Sequence, residues 1–160
     1  MRRTEYDDKF TDIANRKRQR RWDHTYLELA MFWAQLKSKD PSTQVGAVLV
    51  SNDGHREYLG YNGFPRGVDD TPERYADRTI KYQLVVHAEM NAILKAGLDA
   101  KGGTLYTWPL FTCGECAKAV IQSGIIRVVA PALPNERWKA SHDVAMLMYG
   151  EAAVEVEFYE

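Results

Sequence analysis

Cysteine is nearly absent from this chain. Two occur in 160 residues, Cys113 and Cys116, within the tetrapeptide CGEC. That excludes a disulfide framework, and it excludes a metal site built on four thiolates. Long apolar runs are absent too: none approaches the roughly 20 residues needed to span a bilayer. The opening stretch MRRTEYDDKFTDIANRKRQRR holds no apolar segment of the kind a secretory leader carries. The expected compartment is therefore reducing, the cytoplasm, where a disulfide between the two cysteines is disfavoured. Charge of one sign is not in excess either. Lys and Arg total 21 and Asp and Glu 22, a net charge of -1, so the molecule as a whole is no electrostatic trap for nucleic acid. A small anionic ligand would need local positive groups. There is no internal repeat and no long Pro/Gly/Ser linker. What remains, 45% hydrophobic and 27% charged residues, fits one domain with one sizeable core.

The first 21 residues stand apart. Arg2, Arg3, Lys9, Arg16, Lys17, Arg18, Arg20 and Arg21 crowd there with acids between them. They read as a basic N-terminal arm or helix, either solvated or touching an anionic ligand or a neighbouring subunit. A single domain over 22–160 follows. Leu27, Leu29, Ala30, Phe32, Trp33, Ala34 and Leu36 form a helical stripe over 22–37, stopped by Asp40-Pro41. QVGAVLVS (44–51) is a buried strand, SNDGH a turn, and REYLGYN (56–62) the antiparallel return. A polar stretch at 72–82 predicts a short helix. Helices are predicted at 88–96, 114–124 and 137–149, and strands at 104–108, 125–131 and 153–159. The last two strands are separated by a helix, which suits a parallel crossover. The pattern predicts a three-layer α/β/α domain: a five-stranded mixed sheet with helices on both faces.

The stretch HAEMNAIL (87–94) gives the two cysteines a purpose. A C-x-x-C at a helix start aims two sulfurs at one point, and the helix N-terminus favours their thiolate forms. His87, at the start of another predicted helix, supplies a third ligand. Cys2His is a catalytic zinc set, with the fourth position left for water. His24, His55 and His142 are the remaining histidines; none sits in a paired motif, and all three read as ordinary histidines. A redox pair is the rival reading, but it has no need of the His-x-Glu. Glu89 stands two residues after His87, where a carboxylate can reach a metal-activated water and move its proton. His-x-Glu followed by C-x-x-C, 26 residues apart here, is the arrangement of zinc deaminases that hydrolyse an amino group from a nucleobase. In that chemistry Glu89 would deliver a proton to N3 of a cytosine-type ring and then to the leaving amine.

The stretches SKDPSTQVGAVLV (38–50), GYNGFPRG (60–67), KYQLVVHAEMNAIL (81–94) and CGECAKAVIQSGI (113–125) together resemble the deoxycytidylate (dCMP) deaminases, within the zinc-dependent cytidine deaminase superfamily. The resemblance implies hydrolysis of dCMP to dUMP and ammonia. It implies one zinc per chain, held by His87, Cys113 and Cys116, with Glu89 as proton shuttle. Asn62 would hydrogen-bond the substrate's sugar or base region, and the Ala88 amide would meet the pyrimidine carbonyl. It further implies a homo-oligomer, hexameric or smaller, and dCTP and dTTP as effectors at the loop containing Gly63, Phe64 and Arg66. Two departures stand out. Thr112 occupies the position before Cys113 where the family has proline, and the 106–112 segment is one residue longer than the family pattern.

Around this centre the residue types permit more than one role. Asn62 is also a common turn residue. Phe111, Phe64 and Trp108 are candidates to stack on a base, or core residues. Ser38, Lys39, Thr43 and Gln44 flank a helix end and could meet a phosphate; Lys39 could equally be a solvated cation favouring the helix dipole. Arg66 is a candidate for a nucleotide phosphate. An apolar, tyrosine-rich surface is expected around 114–124, suited to subunit contacts. The competing functions are a deaminase of another nucleoside, of another nucleotide or of a polynucleotide base, and a catalytically silent nucleotide-binding regulator. Nucleic acid and membrane partners are not expected.

Overall fold

The computed structural model describes residues 5–132 and 135–160, with side chains from Thr11 onward. Arg2, Arg3 and the side chain of Lys9 therefore lie outside the described residues. Among the described residues there are six α-helices and five strands: α1 (Glu5–Lys37), β1 (Gly46–Val50), β2 (Glu57–Tyr61), α2 (Pro72–Ala76), α3 (Arg78–Leu84), α4 (Ala88–Ala96), β3 (Thr104–Trp108), α5 (Gly114–Gln122), β4 (Arg127–Pro131), α6 (Lys139–Glu151) and β5 (Glu155–Tyr159). Short 3-10 turns follow α4 and precede α6. The sheet order is β2-β1-β3-β4-β5. β1 pairs antiparallel with β2 and β3, and β3, β4 and β5 run parallel. This is the expected five-stranded mixed sheet, including the parallel crossover between the last two strands.

The core divides by the period-two alternation of the strands. Ala47, Leu49, Leu105, Val128 and Ala130 face the layer of α4, α5 and α6. Val48, Val50, Tyr106 and Val129 face α1, where they meet Tyr26, Leu27 and Ala30. All five residues of β1 are buried, as a continuous apolar central strand requires. One buried ion pair fastens α1 to the sheet. Arg127 of β4 forks onto both oxygens of Asp23 at 2.8 and 2.9 Å, and the Tyr106 hydroxyl donates to the same carboxylate at 3.0 Å.

Two predicted boundaries moved. α1 runs unbroken from Glu5 instead of starting at 22, because no proline or glycine interrupts 5–37. The side chains of residues 12–22 are exposed, so this part of the helix carries its cations into solvent. The predicted helix at 72–82 is two helices. Asp77 ends α2 and starts α3, its side chain accepting from the amides of Thr79 and Ile80. The surface expected around 114–124 is also different: α5 exposes Glu115 and Lys118, joined at 2.6 Å, and contains no tyrosine.

Glycine is required where layers approach most closely. A Cβ on Gly60 of β2 would lie 2.0 Å from the Ala88 carbonyl oxygen and 2.7 Å from the Ala92 nitrogen. Both are backbone atoms of α4, so the helix itself would have to move. Gly60→Ala is expected to cost about 3 kcal/mol, the upper end for overpacking. Because α4 begins at the residues that follow His87, zinc affinity should fall along with the melting temperature. Thermal unfolding and a zinc titration of the variant check both; an unchanged melting temperature would show that α4 has room to shift.

Candidate metal centre and active site

His87, Cys113 and Cys116 converge although they belong to different elements. His87 is the N-cap of α4 and Cys113 the N-cap of α5, with Cys116 in the first turn of α5. His87 does not cap α4 with its side chain. Its ring is turned instead to the sulfurs, with Nδ1 at 3.3 Å from the Cys116 sulfur and 3.4 Å from that of Cys113. The three ligand atoms lie within 4.8 Å of one another. Among the described residues no other grouping of three His, Cys or carboxylate side chains brings its ligand atoms so close. His24 and His55 lie elsewhere, on the exposed face of α1 and in the β1–β2 turn.

The electrostatics are those of a donor set waiting to exchange protons for a cation. The hydrogen bond from Cys116 holds the Cys113 thiol down to about 3, assisted by His87 and the Cys116 amide and opposed by burial. The same hydrogen bond, together with burial, pushes Cys116 up. His87 is pushed up to about 9, chiefly by its bond to the Cys113 sulfur. A divalent ion must displace these protons to bind all three atoms. Two thiolates and one imidazole fit zinc, and they leave a fourth tetrahedral position free of protein.

Glu89 stands one helical step further in and is 4% exposed. Burial raises its pKa, an effect His87 partly offsets. A carboxyl moved upward in this way is suited to carrying a proton.

One cavity opens onto His87, Cys113 and Glu89. Thr43, Asn62, Ala88 and Phe111 line it along with His87, Glu89 and Cys113. Asn62 serves both readings. Its Oδ1 accepts from the Ser38 hydroxyl at 2.7 Å and the Val45 amide at 2.8 Å, and its Nδ2 donates to the Thr43 carbonyl at 2.9 Å. It therefore ties the 38–45 segment into the cavity wall, and one amide hydrogen is left over. Ser38 is buried behind it and is not on the wall. Phe111 is likewise both core and lining: its ring meets His142, Tyr149 and Phe158. Thr112 is fully buried with its hydroxyl 2.9 Å from that of Tyr149. Leu110 joins Phe111 on the wall, so the 106–112 segment shapes the cavity.

Other expected contacts are not brought together. Gly63 bridges to Val86, Phe64 stacks on Tyr75, and Arg66 is exposed; none of the three lines the cavity. Lys39 pairs with Asp70 at 2.8 Å. Six further polar or aromatic residues on the wall are not singled out by the sequence as site residues: Asp40, Lys81, Tyr82, Arg137, Trp138 and His142. No spacing rule connects α3 with the turn before α6; the sequence signal among them lies in Asp40, within SKDP, and in Lys81 and Tyr82, which open KYQLVVHAEMNAIL.

A model of the cytidine and deoxycytidylate deaminase zinc-binding region matches residues 20–132 of the chain, which includes every ligand and Glu89. The chain belongs to this family. It is 42% identical to deoxycytidylate deaminase of Mus musculus over 129 residues, which is 74% of this chain and 70% of that protein. It is 37% identical to an uncharacterised deaminase encoded in the luxG 3' region of Aliivibrio fischeri over 139 residues, covering 85% of this chain and 92% of that one. The dCMP deaminase of cyanophage S-TIM5 shares the fold, with a TM-score of 0.63 at 24% identity over 87% of this chain and 98% of that one. In this deaminase family member, then, His87, Cys113 and Cys116 are the zinc-binding cluster. Among the described residues no helix is long and apolar enough to cross a membrane.

Proposed function

We propose that the chain hydrolyses dCMP to dUMP and ammonia. The observation that carries this is a cavity whose wall holds buried Glu89 beside His87 and Cys113 of the His87/Cys113/Cys116 cluster. The choice of substrate is supported by the 42% identity to a deoxycytidylate deaminase over most of both chains.

Zinc held there supplies a Lewis acid that brings the pKa of a water toward 7. The protein does the rest. Glu89 accepts a proton from the attacking water, gives it to N3, and then conveys a proton to the departing amine. The carbon–oxygen bond at C4 forms first, as the ring's C4–N3 double bond becomes single and N3 takes its proton; the carbon–nitrogen bond then breaks as the protonated amine leaves, so one water is consumed and one ammonia departs. The Ala88 amide lies in the first turn of α4, where no intrahelical acceptor exists, and would meet the pyrimidine carbonyl. Phe111 flanks the ring, Thr43 and the remaining Asn62 hydrogen face the sugar, and Ser38 acts by fixing Asn62.

An effector nucleotide at Gly63, Phe64 and Arg66 would lie outside this cavity and would have to act through the 38–45 and 60–67 segments. Self-association is supported by exposed apolar side chains on the helices, among them Phe32, Leu94, Leu98 and Leu147.

The test is loss of cytosine absorbance when zinc-loaded protein meets dCMP, with deoxycytidine, CMP and a single-stranded oligonucleotide in parallel. Rapid loss with dCMP and little with deoxycytidine is expected. Loss with another substrate but not dCMP would replace this reading with that deaminase activity. No loss with any would leave a nucleotide-binding regulator.

A further inference from the structure

If the substrate is a nucleotide, as this reading holds, something in the cavity must recognise its phosphate. Four residues on the wall can carry positive charge: His87, His142, Lys81 and Arg137. His87 belongs to the metal cluster. His142 sits edge-on to Phe111 at 5.6 Å, and burial lowers its pKa, disfavouring the cationic form. Lys81 is 5% exposed and fully engaged. Its ammonium lies 3.2 and 3.1 Å from the two oxygens of Asp40 and donates to the Ser42 hydroxyl at 2.6 Å. An ammonium has three N–H bonds, and these three partners use them.

Arg137 is different. It is exposed, in the turn just before α6, and among the described residues its one hydrogen bond runs from Nη2 to the Tyr82 hydroxyl. Its guanidinium lies 5.1 Å from the centre of the Trp138 ring and 6.0 Å from that of Tyr82. The two rings stand edge to face at 6.4 Å. A guanidinium carries five N–H bonds in a planar fork, so most remain for a ligand. The aromatic pair limits the positions the fork can take, and Lys81 and Asp40 anchor the helix from which Tyr82 projects.

We propose that Arg137, seated on Tyr82 and Trp138, binds the 5'-phosphate of the substrate and is the residue that selects nucleotide over nucleoside. The phosphate monoester would take the free edge of the fork, with paired N–H···O bonds. This places phosphate recognition on α3 and the turn before α6, not on the Gly63–Gly67 loop or Lys39.

Binding of the product pair dUMP and deoxyuridine to zinc-loaded protein tests this without turnover. Arg137→Gln is expected to weaken dUMP about 10- to 100-fold, the usual worth of charge-assisted hydrogen bonds. Deoxyuridine binding should be unchanged, and Arg137→Lys should recover part of the loss. In kinetics the same variant should raise KM for dCMP more than it lowers kcat. Equal weakening of both ligands would mean a packing role, and no weakening of dUMP would mean the phosphate lies elsewhere; either result overturns the proposal. Failure of the wild-type protein to bind dUMP or turn over dCMP would instead remove the dCMP reading on which it rests.

Discussion

Glu89→Gln should retain zinc and fold but lose about three to four orders of magnitude in kcat, the upper range for a positioned acid–base group. The substitution preserves volume in a site where the side chain is 4% exposed. It removes a carboxyl that burial already disfavours in its charged form, so the melting temperature should hold or rise. Glu89 is not among the three clustered ligand atoms, so one zinc per chain should remain by metal analysis. Loss of turnover with intact metal separates proton transfer from metal binding. Activity near that of the wild type would remove Glu89 from the mechanism, while loss of zinc would make it a ligand.

Removal of zinc should cost stability as well as activity. The ligands come from the starts of two helices, α4 and α5, and meet only in the folded chain. Free metal at about 1,000 times its dissociation constant stabilises the folded state by about 4 kcal/mol. For a domain of this size each kcal/mol shifts the melting temperature by about 2–4 °C, so a chelator should lower it by about 8–16 °C. Cys116→Ala should mimic the stripped protein and no longer respond to chelator. Cys116 is buried, so part of its effect is packing; the missing chelator response is the diagnostic part. A melting temperature that stays constant on proven zinc removal would show that the site is preformed without contributing to stability.

Much of this protein could be read before any coordinates. The apolar run of 44–51 and the return at 56–62 around an Asp-Gly turn specified a hairpin, because strand and turn preferences are local. The zinc cluster was equally legible. His-x-Glu and C-x-x-C owe their spacing to helix starts, and a helix start is set by the residues beside it. The split at Asp77 was missed because a capping aspartate inside a polar stretch looks like any other polar residue. Asn62 shows the limit most clearly. Its identity was noticed, but its bonds to Ser38, Thr43 and Val45 depend on how two separate segments lie together.

The sequence by itself determined the chemistry: a two-sulfur, one-imidazole metal set with a carboxyl beside it. Only the tertiary structure decided what surrounds that chemistry. Arg137 and Tyr82 are 55 residues apart, as are no two members of any motif in the chain, and Lys81 reaches Asp40 across 41. Such contacts follow from the layering of helices on the sheet, which is set by the summed burial of many weakly specific apolar residues. No short pattern encodes that sum, and so the cavity's walls and mouth became visible only in the folded chain.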